Sequence, residues 1–286
     1  KARAMPVSLF PSFWALSADG GEEMKYAVHN TVVPQDKRQE TNEKLLYLID
    51  SGKAENYGIS SDDIYNLYTG DGGLHGLHRK DYESYASYSE AKKEIENGQF
   101  FTPPMLCRLV AESLSPTADA TIADLTCGSG AFFNFLPNEK NLYGCDVDTK
   151  AYKVARYLYP KANLENCDIR SYQPSARFDY IVGNPPYNLR WLVNDGENVL
   201  SQLYYCRKAV ELLKPFGILA LIVPASFLSD DFTDGTYIRE MEEHFSFLGH
   251  IALPANAFTS VGVQHYQTKR YSPVYKRSTT ETMPQY

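Results

Sequence analysis

Two rhythms of apolar and polar positions divide the chain. Up to about residue 97, apolar residues recur at helical spacing inside charged, tyrosine-rich stretches. Lys44 to Asp50 and Asp81 to Asn97 read as helices, the second carrying Tyr82, Tyr85 and Tyr88 at every third position. The cluster Gly70, Gly72, Gly73 and Gly76 interrupts that pattern and predicts a loop, and Gly98 is placed to stop the helix before it. From about residue 103, short apolar runs alternate with helix-periodic segments. Thr121 to Leu125, Leu142 to Cys145, Tyr180 to Val182, Ile218 to Val223 and Phe247 to Leu253 predict strands, with helices over Thr149 to Leu158 and Leu200 to Leu213. This alternation predicts an α/β fold with a mostly parallel sheet, helices on both faces and a ligand crevice at the carboxyl ends of the strands. The expected organisation is a small helical N-terminal region, 1–97, followed by the α/β domain, 98–286.

Composition narrows the options. With 286 residues and 43% apolar residues, the chain can bury one large core plus an appendage. The longest apolar run, Gly217 to Leu228, is too short for a bilayer and contains a proline, so it predicts a buried strand and no membrane partner. Nothing at the start resembles a signal peptide. The five cysteines are scattered without a CxxC pair, which points to reduced thiols in a cytoplasmic protein and not to zinc or disulfides. His75 and His78 lack companion ligands, so no metal is expected. A net charge of −7 is a poor match for DNA phosphates. A nucleic-acid substrate would therefore be gripped mainly by another segment or subunit. The first residue, Lys1, and the absence of a closing element after a possible last strand predict a fragment of a larger protein.

The segment Asp124-Leu-Thr-Cys-Gly-Ser-Gly130 follows a predicted strand and opens a helix over Ala131 to Leu136. Gly128 and Gly130 allow a sharp turn and a close backbone approach to a ligand. The loop lacks both GxGxxG spacing and a GK[ST] ending, so a pyrophosphate is not the expected guest. An acidic residue before a GxG turn suits a ligand with a cationic end, although any α/β protein can use such a turn. Asp146 lies 22 positions beyond Asp124 at the tip of the second strand, placed to accept from ribose hydroxyls, while Asp148 suits the cap of the next helix. At the following strand end, Asp168 is placed to accept from an adenine amino group and Ile169 to cover the ring.

A further strand runs into Asn184-Pro185-Pro186-Tyr187. Asn184 offers a carbonyl acceptor, and Pro185 holds it extended before substrate arrives. Pro185 and Pro186 stiffen the turn, and proline has no N–H to pair with neighbouring carbonyls. Tyr187 supplies a flat face for a planar base or amide. Two acceptors, the Asn184 side chain and the Pro185 carbonyl, can hold the hydrogens of an amino group so that its lone pair returns to nitrogen. That arrangement stabilises a transition-state geometry without a general base or a cysteine nucleophile.

In this order of motifs the chain resembles the N6-adenine DNA methyltransferases, the NPPY amino-methyltransferases that include the modification subunits of restriction systems. The likeness covers about residues 98–265, and Gly98-Gln-Phe-Phe-Thr-Pro-Pro104 resembles the GxFxTP segment that precedes the glycine loop there. The resemblance implies the seven-stranded class I S-adenosylmethionine-dependent methyltransferase fold, with S-adenosylmethionine as cofactor and a flipped adenine in DNA as substrate. It places Phe100, Thr102, Asp124, Thr126, Gly128, Gly130, Asp146, Val147, Asp168 and Ile169 at the cofactor, and Asn184 to Tyr187 at the reaction. Tyr187 and Phe258 are placed at the base. A target-recognition region usually follows the catalytic part in that family, so a separate specificity region or subunit is expected. Protein glutamine N5-methyltransferases of the release-factor type share NPPY but differ in the lead-in, and RNA adenine methylation is a further alternative.

Overall fold

The structure, a computed structural model, describes residues 24–29, 31–70, 79–90, 101–187, 189–193, 196–224, 227, 236–254, 256–258 and 271–278. Helices α1 (Arg38–Ser51) and α2 (Ser61–Leu67) come first, and residues 85–90 are helical. After α3 (Pro104–Leu114) come β1 (Ile122–Asp124), β2 (Leu142–Asp146), α4 (Thr149–Leu158), β3 (Asn163–Asn166) and β4 (Phe178–Gly183). The chain continues through β5 (Arg190–Leu192), β6 (Asn198–Leu200), α5 (Ser201–Leu212), β7 (Leu213–Pro224), α6 (Thr236–His244), β8 (Phe245–His250) and β9 (Tyr271–Ser278). Seven strands form one sheet in the order β3-β2-β1-β4-β7-β9-β8, parallel from β3 to β7, with β9 antiparallel to both neighbours. β5 and β6 make a separate antiparallel ribbon.

Each face of the sheet has its own apolar cluster, so helices cover both sides as the alternation predicts. On one face, α4 buries Ala151, Val154, Ala155 and Leu158, an i, i+3, i+4, i+7 stripe. Asp148 caps this helix, accepting from the Lys150 and Ala151 N–H groups at 2.8 and 3.4 Å. Each large aliphatic side chain buried here contributes about 1.5–3 kcal/mol. Leu45 and Leu48 of α1, Ile64 of α2 and Tyr68 join the same cluster. The N-terminal helices therefore share a core with the α/β part, and the expected boundary at residue 97 does not divide that core.

Several element bounds shift. Ala131–Phe135 is a 3-10 helix, β7 begins at Leu213 and β8 ends at His250. No described helix is long and apolar enough to cross a membrane, and the apolar run from Gly217 enters β7. All five cysteines are free thiols, and the described residues contain no cluster able to hold a metal. His75, His78, Gly72, Gly73, Gly76, Gly98 and Phe100 lie outside the described residues.

Candidate active site

The carboxyl ends of β1 and β4, adjacent in the sheet with Asp124 opposite Val182, open onto a cleft of about 410 Å³. The glycine loop forms its floor. Gly128 adopts φ +54, and a Cβ there would meet the Phe101 ring at 3.2 Å. Phe101 also covers Gly70 and packs edge-on against Tyr68, with 5.7 Å between ring centroids. The buried Asn42 of α1 holds that turn, donating to the Gly70 carbonyl at 2.7 Å and accepting from the Thr69 N–H at 3.0 Å. The N-terminal helices thus hold the aromatic ring that roofs the glycine loop.

Asp124, 2% exposed, accepts from the Thr126 N–H at 3.1 Å. Tyr205 of α5 stands between β1 and β4: its hydroxyl accepts from the Leu125 N–H at 2.9 Å and faces the Val182 carbonyl at 2.7 Å and Asp124 Oδ1 at 3.4 Å. The hydroxyl has one proton, directed mainly at the Val182 carbonyl and only weakly at Asp124. Burial pushes the Asp124 carboxyl up to about 7, with the Asp146 charge adding to the rise against the Thr126 and Tyr205 bonds. Asp146 is pushed up to about 6, again mainly by burial, although its two oxygens accept from the Gly128 and Asp148 N–H groups at 2.7 and 2.8 Å. Asp168 differs. Its carboxylate takes the Arg170 Nε and Nη2 at 2.9 and 2.6 Å, and that fork holds its pKa below the usual carboxylate range.

Beyond β4, Tyr187 is buried, and its hydroxyl contacts Asn184 Oδ1 and the Ile222 carbonyl, the latter at 2.9 Å. Ser201 donates to the Pro186 carbonyl at 2.5 Å, and the Ser201 N–H donates to Leu189 at 2.9 Å. The Pro185 carbonyl accepts no hydrogen bond from the described residues. Burial raises the Cys127 and Cys145 thiols well above their ordinary values, which keeps them protonated and unsuited to nucleophilic attack.

Of the residues expected to act together, Thr102, Asp124, Thr126, Gly128, Asp146, Val147, Asp168, Ile169, Asn184, Pro185, Pro186 and Tyr187 all line this cleft. Two do not. Gly130 turns the chain at φ +83 beneath Tyr159, where a Cβ would stand 2.6 Å from that ring, so it serves the loop's path and not its wall. Phe258 is 3% exposed inside the core cluster, so it presents no ring surface to a base. The sequence reading also passed over Phe101, Trp191 and Leu189 on the wall, and Tyr205 and Gly183 behind it. A Cβ on Gly183 would lie 2.2 Å from the Tyr205 hydroxyl oxygen. A glycine immediately before Asn184 is the signal that was available.

The family model for N-6 DNA methylases matches residues 80–266. The chain belongs to the N-6 DNA methylase family. Among relatives of this family member, the type II methyltransferase M.CvrRI of Paramecium bursaria Chlorella virus XZ-6E is 26% identical over 194 residues, covering 64% of this chain and 51% of that protein. The tRNA1(Val) (adenine(37)-N6)-methyltransferase of Vibrio cholerae is 31% identical over 136 residues, 40% of this chain and 53% of that protein. The chain thus spans about half the length of each. The N-6 DNA methylase chain also superposes on a class I S-adenosylmethionine-dependent methyltransferase of Listeria monocytogenes. The TM-score is 0.54 at 15% identity, with 86% of this chain and 90% of that one covered, a likeness of fold.

Proposed function

We propose that the chain methylates the N6 amino group of adenine in DNA, using S-adenosylmethionine. The observation that carries this reading is the placement of Asn184 to Tyr187 at the end of β4, beside a cleft floored by Asp124 and the glycine loop. The residues present suit the cofactor. Asp124 is a buried carboxylate whose donors among the described residues are neutral, which matches the cationic amino end of a methionine moiety. Thr126 adds a buried hydroxyl with no hydrogen-bond partner among the described residues, and buried hydroxyls are rarely left unmatched. Asp146 suits ribose hydroxyls and Asp168 with Ile169 the adenine end.

S-adenosylmethionine supplies, when bound, an electrophilic methyl group on its sulfonium. The chain's own residues prepare the acceptor. A duplex adenine must be flipped out, at a cost of about a few kcal/mol. The Asn184 Oδ1 and Pro185 carbonyl accept the two N6 hydrogens, turning the nitrogen lone pair out of the ring. Positive charge developing on N6 as the methyl–sulfonium bond breaks meets the same two oxygens, and the nitrogen then sheds one of its two hydrogens as a proton to water, leaving neutral N6-methyladenine. Tyr187 fixes the Asn184 amide through its hydroxyl, and Ser201 fixes the turn through Pro186. Pairing with a separate specificity segment or subunit fits the net charge of −7.

The test offers labelled S-adenosylmethionine to DNA, RNA and release factor separately, followed by nucleoside mass spectrometry. N6-methyladenine in DNA is expected, and Asn184→Ala is expected to lose about 10²-fold or more in rate. RNA adenine is the second reading, supported by the tRNA-modifying relative over 40% of the chain. DNA is preferred because the DNA methylase family model extends over more of it. Labelling of RNA alone would reverse that order.

A further inference from the structure

Behind the cleft wall at Asp168 stands an arrangement that the reaction does not yet use. The Arg170 guanidinium grips the Asp168 carboxylate with two nitrogens, and the Arg170 N–H donates to the same oxygen as Nε, at 2.8 Å. The guanidinium carbon also lies 5.7 Å from the centre of the Trp191 indole. Trp191 belongs to β5 of the two-stranded ribbon, lines the cleft, and packs edge-on against Tyr204 of α5 at 5.7 Å. One cation therefore touches both an acceptor and an aromatic wall at the same end of the cleft.

A carboxylate presents about four acceptor positions, and Arg170 fills three of Asp168's, two on Oδ1 and one on Oδ2. What is left is directional, set by the plane of the fork. An indole that receives a guanidinium on one side and an edge contact from a tyrosine is held in one orientation. Such a pair, one oriented acceptor beside one fixed ring, matches a planar heterocycle bearing an exocyclic amine. On the reading that S-adenosylmethionine occupies the cleft, we infer that Arg170 is a positioning residue for its adenine end. It orients Asp168 toward the adenine amino group and holds the Trp191 indole against the ring, so that the ribbon after Asn184–Tyr187 becomes part of the cofactor site.

The test reads the ring itself. The chain has two tryptophans, Trp14 and Trp191, so a Trp14→Phe chain reports Trp191 emission alone. Titration with S-adenosylhomocysteine, followed by fluorescence and by calorimetry, is expected to quench about half or more of that emission through stacking, and L-methionine is expected to leave it unchanged. Arg170→Met is expected to weaken S-adenosylhomocysteine about tenfold and to lose most of the quenching. Arg170→Lys keeps the charge without the fork and is expected to recover only part of either. Binding heat without quenching in the Trp14→Phe chain would overturn the inference alone, as would an Arg170→Met chain, folded by circular dichroism, that keeps full affinity and quenching. Should Arg170→Met not fold, the Trp14→Phe titration still decides. Absence of binding heat with the unaltered chain would overturn the cofactor reading, and the inference with it.

Discussion

Asp124 and Asp168 stand at strand ends on the same side of the sheet and line the same cleft, yet their chemistry is opposite. Asp168 is met by a guanidinium and stays ionised at any ordinary pH. Asp124 is buried among neutral donors and titrates near 7. Sequence spacing makes the two equivalent, as acidic residues at successive strand tips. Their difference comes from the groups that face them: Arg170, two residues along, forks onto Asp168, while Asp124 meets the neutral Tyr205 hydroxyl from a helix beyond β4. A carboxylate with its own cation is a shaped acceptor. One without it is suited to receive a cation from a ligand.

Replacing each carboxylate by its amide should separate these roles. Asp124→Asn is expected to give the larger effect, weakening S-adenosylhomocysteine about 30-fold or more by calorimetry, because the ligand's ammonium would lose its charged partner. Gly183→Ala strikes the support behind Asp124 and spares Asp168. It is expected to cost about 1–3 kcal/mol in urea unfolding as the new methyl displaces Tyr205. Asp168→Asn should cost about tenfold in the same calorimetry, and Arg170 would be left without its fork.

The smallest effect expected is in pH. Asp124 has a folded pKa near 7, above its unfolded value, so the native chain holds more protons between about pH 4 and pH 7. Without ligand, its contribution to stability is therefore present at low pH and lost as pH rises through 7. A cationic ligand reverses this by favouring the ionised form. Affinity for S-adenosylhomocysteine should rise several-fold from pH 6 to pH 8 in the unaltered chain and in Asp168→Asn, but in Asp124→Asn keep only the smaller rise near pH 6 that comes from Asp146. A pH response lost on changing Asp168 would place the titrating group at the wrong end of the cleft.

Much of this is legible in the sequence. The strands of β1, β2, β4 and β7 read as apolar runs because parallel strands are covered on both faces. The acidic and NPPY motifs fall at their ends, so local sequence located most of the cleft wall. β3 was harder: Asn163–Asn166 lies at the sheet edge with only Leu164 buried, and it carries no apolar run to read. Phe101 was lost to a choice between neighbouring phenylalanines, since family spacing favours Phe100 while the ring described over Gly128 is Phe101. Trp191 and Tyr205 reach the site through contacts between segments tens of residues apart, which no local periodicity encodes, and Arg170, although two residues from Asp168, meets Trp191 only across such a gap. Phe258 differs the other way: it shares the core cluster of Tyr187 but does not line the cleft, and an aromatic residue in a plausible order carries no information about how deeply its ring is buried.

The Tyr205 hydroxyl fastens the backbone just past β1, at Leu125, to that of β4 at Val182, two residues before Asn184. The glycine-loop floor and the Asn184–Tyr187 turn are thereby mounted on adjoining strands, whose axes run about 4.8 Å apart. Under the proposed reaction, the placement of methyl donor relative to acceptor is in this sense set by the sheet and pinned by a helix from outside it. On the proposed reading, an adenine that enters the cleft would meet a gauge already set.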